Sequence, residues 1–292
     1  MEPEPHGKGE SAMVGIIDVG GGLRDIYGAG VFDRLLDDGV KFDYCLGVSA
    51  GSANIASFLA KQRGRNRRFY LDYSRRKEYM SPSNLYKIGA FLNLHYIYGT
   101  LSNQGGEDPL DFKTLMENDS ELCVVATNAK TGRIEYFGKD DLAQDDYRVF
   151  MASSAIPLIT RTETVGSAVC ADGGVGDPIP IAKAFFDGCD KVVLVLTMPD
   201  GPMQRKRRDL LGAVLLRLVR PNLSNLLLER HRIYNRQLAL AHSYASDGKC
   251  LIISPDDVCG IKTLTNDTAN LERLYEKGYA DAAKIKAFVE AK

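Results

Sequence analysis

Ser49 stands in Gly47-Val48-Ser49-Ala50-Gly51, a G-x-S-x-G block, and Gly20, Gly21 and Gly22 lie upstream of it. A serine hydroxyl is a weak nucleophile until a base takes its proton, and the tetrahedral intermediate it forms with an ester needs donors for its oxyanion. G-x-S-x-G is the sequence form of a nucleophile elbow. Serine sits on a sharp strand-to-helix turn, and the glycines two residues either side let the backbone pass close to itself. The triple glycine fits the second need, because amides without a neighbouring Cβ can turn toward one point. The amide of Ala50, opening the helix after Ser49, adds a further donor, and Arg24 is placed to stabilise the loop or a nearby charge. The bland alternative is a glycine-rich turn without chemistry.

The base is harder to find. His6 lies in a polar lead, His95 among leucines and tyrosines, and His231 and His242 within one long helical pattern. The order Ser49, Asp172, then His231 or His242 suits a Ser–Asp–His esterase triad, although that arrangement normally has more strands before its nucleophile than the two available here. Asp172 is the stronger candidate. It follows the apolar run Ala168-Val169-Cys170-Ala171 and precedes Gly173-Gly174, which suits a sheet edge where sites gather. Asp177, followed by Pro178, reads as a turn or cap. The glycine loop also fits half of a dinucleotide fingerprint, with Asp43 about 20 residues on. Asp25 occupies that fingerprint's third glycine position, where a carboxylate crowds a pyrophosphate.

These residues need elements to hold them. Residues 13–19, 42–48, 122–127, 192–198 and 251–253 are short apolar runs, the mark of strands covered on both faces. Residues 134–137 and 168–171 read as short strands of an antiparallel excursion. Helical patterns fill 26–38, 52–61, 181–187, 209–219, 223–245 and 268–291. The alternation predicts a three-layer α/β/α sandwich around a mostly parallel central sheet. With 45% hydrophobic residues in 292 and no Pro/Gly/Ser-rich linker, one domain over 13–292 with a helical C-terminal part is expected, after a disordered lead over 1–12.

Charge and cysteine use narrow the partners. A net charge of −1 gives no general pull toward nucleic acid. The six cysteines form no C-x-x-C pair, so a zinc site is not expected, and a reduced, cytoplasmic setting fits. No run of about 18 apolar residues is present to span a bilayer. Two basic clusters stand out, one within 61–77 and one at Arg205-Lys206-Arg207-Arg208. The second leads into an apolar stretch, a pattern that suits either peripheral contact with an anionic membrane surface or a core helix with a solvated entry.

Four blocks then fall in order: Gly20-Gly21-Gly22-Leu23-Arg24, Gly47-Val48-Ser49-Ala50-Gly51, Ala152-Ser153-Ser154-Ala155-Ile156-Pro157 and Asp172-Gly173-Gly174. In these the chain resembles the patatin-like phospholipases, in particular their bacterial branch. The resemblance implies a patatin-like fold and a Ser49–Asp172 dyad without histidine. It implies an oxyanion hole from Gly20, Gly21, Gly22, Arg24 and Ala50, and hydrolysis of lipid carboxylic esters, of phospholipase A or lysophospholipase type, through an acyl-enzyme with no metal or organic cofactor. An unperturbed aspartate, with a pKa of about 3.9, is a poor base at neutral pH, so Asp172 is expected to be partly desolvated, which raises its basicity. Asp25 departs from the family pattern, which usually has glycine there. It keeps open the alternative of a catalytically silent patatin-fold protein that binds lipid or a partner.

Overall fold

The computed structural model describes residues 12–265 and 267–291; apart from Ala12, the lead expected at the N-terminus lies outside them. Eight strands form one sheet: β1 (Val14–Asp18), β2 (Tyr44–Val48), β3 (Glu121–Asn128), β4 (Ile134–Phe137), β5 (Glu163–Val165), β6 (Ala168–Asp172), β7 (Lys191–Val195) and β8 (Cys250–Ile253). Their order is β5-β6-β3-β2-β1-β7-β8, with β4 also pairing with β3. The five runs expected as buried strands, β1, β2, β3, β7 and β8, pair in parallel. Alternate residues feed two cores: Ile16, Cys45, Val124 and Val193 face one, Ile17, Leu46, Val125 and Leu194 the other. Burial on both faces is why these strands read as unbroken apolar runs.

β4 and β6 are the antiparallel excursion, and they set the geometry of the site. β4 pairs with Val124–Thr127 of β3. β2 pairs with residues 121–125 and β6 with residues 126–128. Each overlaps the stretch held by β4, so both must lie on the opposite edge of β3. They therefore run toward each other along one edge and meet end to end, Val48 opposite Val125 and Asp172 opposite Ala126. Asp172 is thus the last residue of β6, paired with Ala126 at the end of the strand and next to the end of β2.

Eleven α-helices among the described residues cover the sheet: α1 (Ile26–Asp37), α2 (Ala50–Leu59), α3 (Arg65–Leu71), α4 (Pro82–Ile88), α5 (Phe112–Glu117), α6 (Arg148–Ser153), α7 (Ile181–Phe186), α8 (Arg207–Leu216), α9 (Pro221–Ser246), α10 (Thr268–Asp281) and α11 (Ile285–Glu290). The single helix expected over 268–291 is broken by a tight turn at Ala282–Lys284. The basic stretch 61–77 is no open cationic face. Arg65 is buried, donating to Ser57 Oγ, Ser102 Oγ and the Asp108 carbonyl, while Arg63, Arg68 and Arg76 pair with Asp37, Asp108 and Glu107. α8 is not a core helix either: only Asp209, Gly212 and Ala213 are buried along it. The six cysteines are free and buried. Among the described residues no group of His, Cys, Asp and Glu is arranged to hold a metal, and no helix is long and apolar enough to cross a membrane.

Candidate active site

Ser49 sits between β2 and α2 with φ 56° and ψ −130°, a conformation that costs a non-glycine residue about 1–3 kcal/mol and persists only where the surroundings impose it. Two contacts impose it. The Ser49 N–H donates to Ser153 Oγ at 2.8 Å, and Ser153 Oγ donates to the Val125 carbonyl at 2.6 Å. The last residue of α6 thus ties the elbow to β3. The Ser49 hydroxyl donates to Asp172 Oδ2 at 2.6 Å. Asp172 is held in turn by the Gly174 N–H on Oδ1 (2.8 Å), by Ala155, whose carbonyl accepts from its N–H, and by Thr127, whose hydroxyl donates to its carbonyl. Burial raises the Asp172 pKa above the ordinary carboxylate value, against the opposing effects of the Ser49 hydrogen bond and of Arg230. The expected partial desolvation is present.

The glycine loop crosses directly over this turn. A Cβ on Gly20 would overlap the Val48 carbonyl oxygen, and one on Gly51 would overlap the Asp18 carbonyl oxygen. The two glycine-bearing blocks therefore depend on each other for backbone clearance. Gly20, expected among the oxyanion donors, is not free to act as one: its N–H donates to Asp18 Oδ1 at 3.0 Å, and its carbonyl accepts from Thr197 Oγ1. The N–H groups of Gly21, Gly22 and Ala50 have no acceptor among the described residues. Arg24 turns its guanidinium to Thr263 Oγ1 (3.0 Å).

Asp25 faces Asp18 across Gly28 and not a free face of the loop. It is fully buried and finds no donor for either carboxyl oxygen among the described residues. Desolvation, and next the Asp18 charge, push its pKa well up. Asp18 accepts from Gly20 and from Asn54 (3.2 Å) and is raised by burial to about 6. The aspartate at the family's glycine position thus faces Asp18 as a buried pair.

Ser49 lies at the neck between two cavities, with Gly22, Ile156, Thr263 and Leu264 also lining both. One runs inward between apolar residues such as Phe69, Tyr79, Leu94 and Ile97. The other, larger, holds Asp172, Arg24, Arg208 and Arg230 against an apolar wall that includes Leu211 and Leu227. The described histidines line neither: His95 pairs with Glu163 and His242 with Asp200. No imidazole stands between Ser49 and Asp172. Asp177 accepts from Tyr136 and Gln237 away from the site, and Asp43 caps the Val14 N–H (2.7 Å). Ser154 meets Tyr98 (3.0 Å) at the wall of the inner cavity.

The family model of the patatin-like phospholipases matches residues 19–185, more than half of the chain and all four motif blocks. The chain belongs to the patatin-like phospholipase family. A second model, described only as a domain of unknown function (DUF6363), matches residues 220–290, the stretch that brings Arg230 and Thr263 to this patatin-like site. The chain is 28% identical over 195 residues to the uncharacterized protein YjjU of Escherichia coli (strain K12), over 65% of this chain and 53% of that protein. It thus spans about half the length of that curated relative. The crystal structure of VipD from Legionella pneumophila shares the patatin-like fold: the likeness has a TM-score of 0.52 at 13% identity and covers 96% of this chain and 67% of that one.

Proposed function

We propose that the protein is a serine-dependent lipid acyl hydrolase working through a Ser49–Asp172 dyad. The observation that carries this reading is the 2.6 Å bond from the Ser49 hydroxyl to a buried aspartate, at the neck between an apolar cavity and a polar one. Asp172 takes the hydroxyl proton as Oγ attacks the ester carbonyl. Gly21, Gly22 and Ala50 turn free N–H groups toward the oxyanion. The intermediate collapses, Asp172 returns its proton to the departing alcohol, and the acyl group remains on Ser49. Water, deprotonated by Asp172, then releases the fatty acid and restores the hydroxyl. The residues of the dyad need neither metal nor organic cofactor for these steps.

The same reading gives the enzyme a membrane surface to work on. α8 and the turn after it expose Leu211, Val214, Leu215, Leu218 and Val219, with Leu218 94% accessible, and Arg205, Arg207 and Arg217 flank them on the outside. An apolar helix edged with arginines fits the headgroup region of an anionic bilayer, and Leu211 and Gly212 place it at the mouth of the larger cavity.

Hydrolysis of a p-nitrophenyl acyl ester, together with labelling by a fluorophosphonate probe, tests the dyad. Ser49→Ala and Asp172→Asn are expected to lose about a thousandfold or more in kcat, His231→Ala and His242→Ala to keep activity, and the probe to mark Ser49. Full activity in Asp172→Asn, or loss only in a histidine variant, contradicts the dyad. An unlabelled Ser49 favours the silent patatin-fold alternative.

A further inference from the structure

The larger cavity carries more positive charge than the dyad needs. Arg24 comes from the glycine loop, Arg208 from α8 and Arg230 from α9, and all three line it. Arg24 Nη1 and Arg208 Nη1 donate to the same Thr263 hydroxyl, at 3.0 and 3.1 Å, which brings two guanidinium groups together. Arg230 donates Nε to the Gly174 carbonyl at 2.6 Å, beside the aspartate that holds Ser49. Asp209 stands between Arg208 and Arg230 but at 3.6 and 3.7 Å, beyond hydrogen-bond length for either. The guanidinium Nε of Arg24 is buried and has no acceptor among the described residues.

Mutual repulsion registers the crowding. Burial, and then Arg208 and Arg230, push Arg24 down to about 10, and burial with the same two arginines and Arg24 pushes Lys206 down to about 8. Three arginines thus line the cavity against two carboxylates, Asp209 and Asp172, and Asp172 is already bound to Ser49 and Gly174. Arg208 keeps about half of its side chain accessible and Arg230 a fifth, so donors remain for a ligand. A quaternary ammonium group has little to meet in this cavity. Quaternary ammonium recognition relies on aromatic cages, whereas Tyr234 is the one aromatic side chain lining this cavity among the described residues.

Resting on the Ser49–Asp172 reading, we propose that Arg208 and Arg230, with Arg24, form a head-group subsite that selects lipid esters with net anionic heads, such as glycerophosphate and phosphoglycerol, over zwitterionic choline and ethanolamine lipids. The acyl chain lies in the inner cavity, the ester carbonyl at the neck, and the phosphate against the arginines, where planar forks match its oxygens.

Monoacyl glycerophosphoglycerol and monoacyl glycerophosphocholine of one short chain length, both below their micellar concentrations, separate this from binding to a lipid surface. Wild type is expected to favour the anionic substrate in kcat/KM by about tenfold or more, the effect of a charge-assisted contact. Arg208→Gln is expected to collapse that ratio, chiefly through KM, and Arg208→Lys to restore part of it. Equal rates for the two lipids in wild type, or a ratio that Arg208→Gln leaves intact, overturns the proposal. Failure to hydrolyse either lipid would strike the hydrolase reading first; calorimetry with glycerol 3-phosphate then decides the subsite, which stands if wild type binds and Arg208→Gln does not, and falls if wild type does not bind. Binding of glycerol 3-phosphate by an enzyme that treats both lipids alike places a soluble anion there and also overturns the head-group assignment.

Discussion

At the scale of single residues, two buried aspartates meet opposite demands. In the proposed dyad Asp172 must be ionised to take a proton, yet its burial favours the neutral acid. Arg230 and Arg208 are the nearby cations that hold its pKa back. Activity should therefore rise with pH through an acid limb lying above the ordinary aspartate value of about 3.9. Arg230→Gln removes one of those cations and should move the limb in the kcat/KM profile to higher pH; a limb that stays in place or moves down contradicts this electrostatic account. Asp25 is pushed toward the neutral acid by burial and by the Asp18 charge. In the unfolded chain it titrates near the ordinary value, whereas in the folded protein both it and Asp18 are raised, Asp18 to about 6. The native state then binds more protons than the unfolded state between those values, so this pair's contribution to stability declines as pH rises through that window. Asp25→Asn offers a donor to Asp18 that cannot be titrated. Its melting temperature, compared with wild type, should gain more at pH 8 than at pH 5; the same difference at both would count against a shared proton.

Secondary-structure elements show how much of the site the sequence exposes. The elbow, the glycine loop and Asp172-Gly173-Gly174 are local signals, because strand–turn–helix chemistry is written in contiguous residues. α6 is six residues long and β5 only three, too short for a period to emerge, and α3 is hidden in an arginine run whose first member turns inward. Thr263 and Arg230 come to the site through tertiary packing, Thr263 to Arg24 across 239 positions and Arg230 to Gly174 across 56, so no local pattern marks them; Ser153 lies in a motif block, but its bond to the Ser49 N–H is made across 104 positions. The break at Ala282–Lys284 escapes notice because the apolar period continues across the turn. α8 exposes its apolar side, which excludes a core helix and makes membrane contact a measurable question. Co-sedimentation with anionic vesicles should fall in Leu215→Asp/Leu218→Asp without a lower melting temperature, since both side chains already face solvent. Neutralising Arg205 and Arg207 should weaken it by about 1 kcal/mol per charge. Equal binding to neutral and anionic vesicles, indifferent to both changes, would rule out docking through α8.

At the scale of the whole molecule, the question is whether residues 220–290 are an appendage or part of the catalytic body. β8 continues the parallel sheet beside β7, α9 delivers Arg230 to the Gly174 carbonyl, and α10 packs on α1 at backbone contact. A Cβ on Gly278 would overlap the Tyr27 carbonyl oxygen, and one on Gly30 the Tyr275 carbonyl oxygen. Tyr27 donates to Asp281 at 2.8 Å and Tyr275 to Asp33 at 2.7 Å across the same seam. α1 is also the direct continuation of the glycine loop through Gly22–Asp25, so strain in this seam has a short path to the N–H groups of Gly21 and Gly22, the proposed oxyanion donors. If the two stretches form one folding unit, wild type should unfold in a single transition. Gly278→Ala, which forces backbone against backbone, should shift that whole transition down by about 1–3 kcal/mol, several degrees in melting temperature, and ester hydrolysis should be lost along the same curve. Two separate transitions, with Gly278→Ala moving only one while hydrolysis follows the other, would make the C-terminal stretch an independent domain and leave Arg230 a contact between domains.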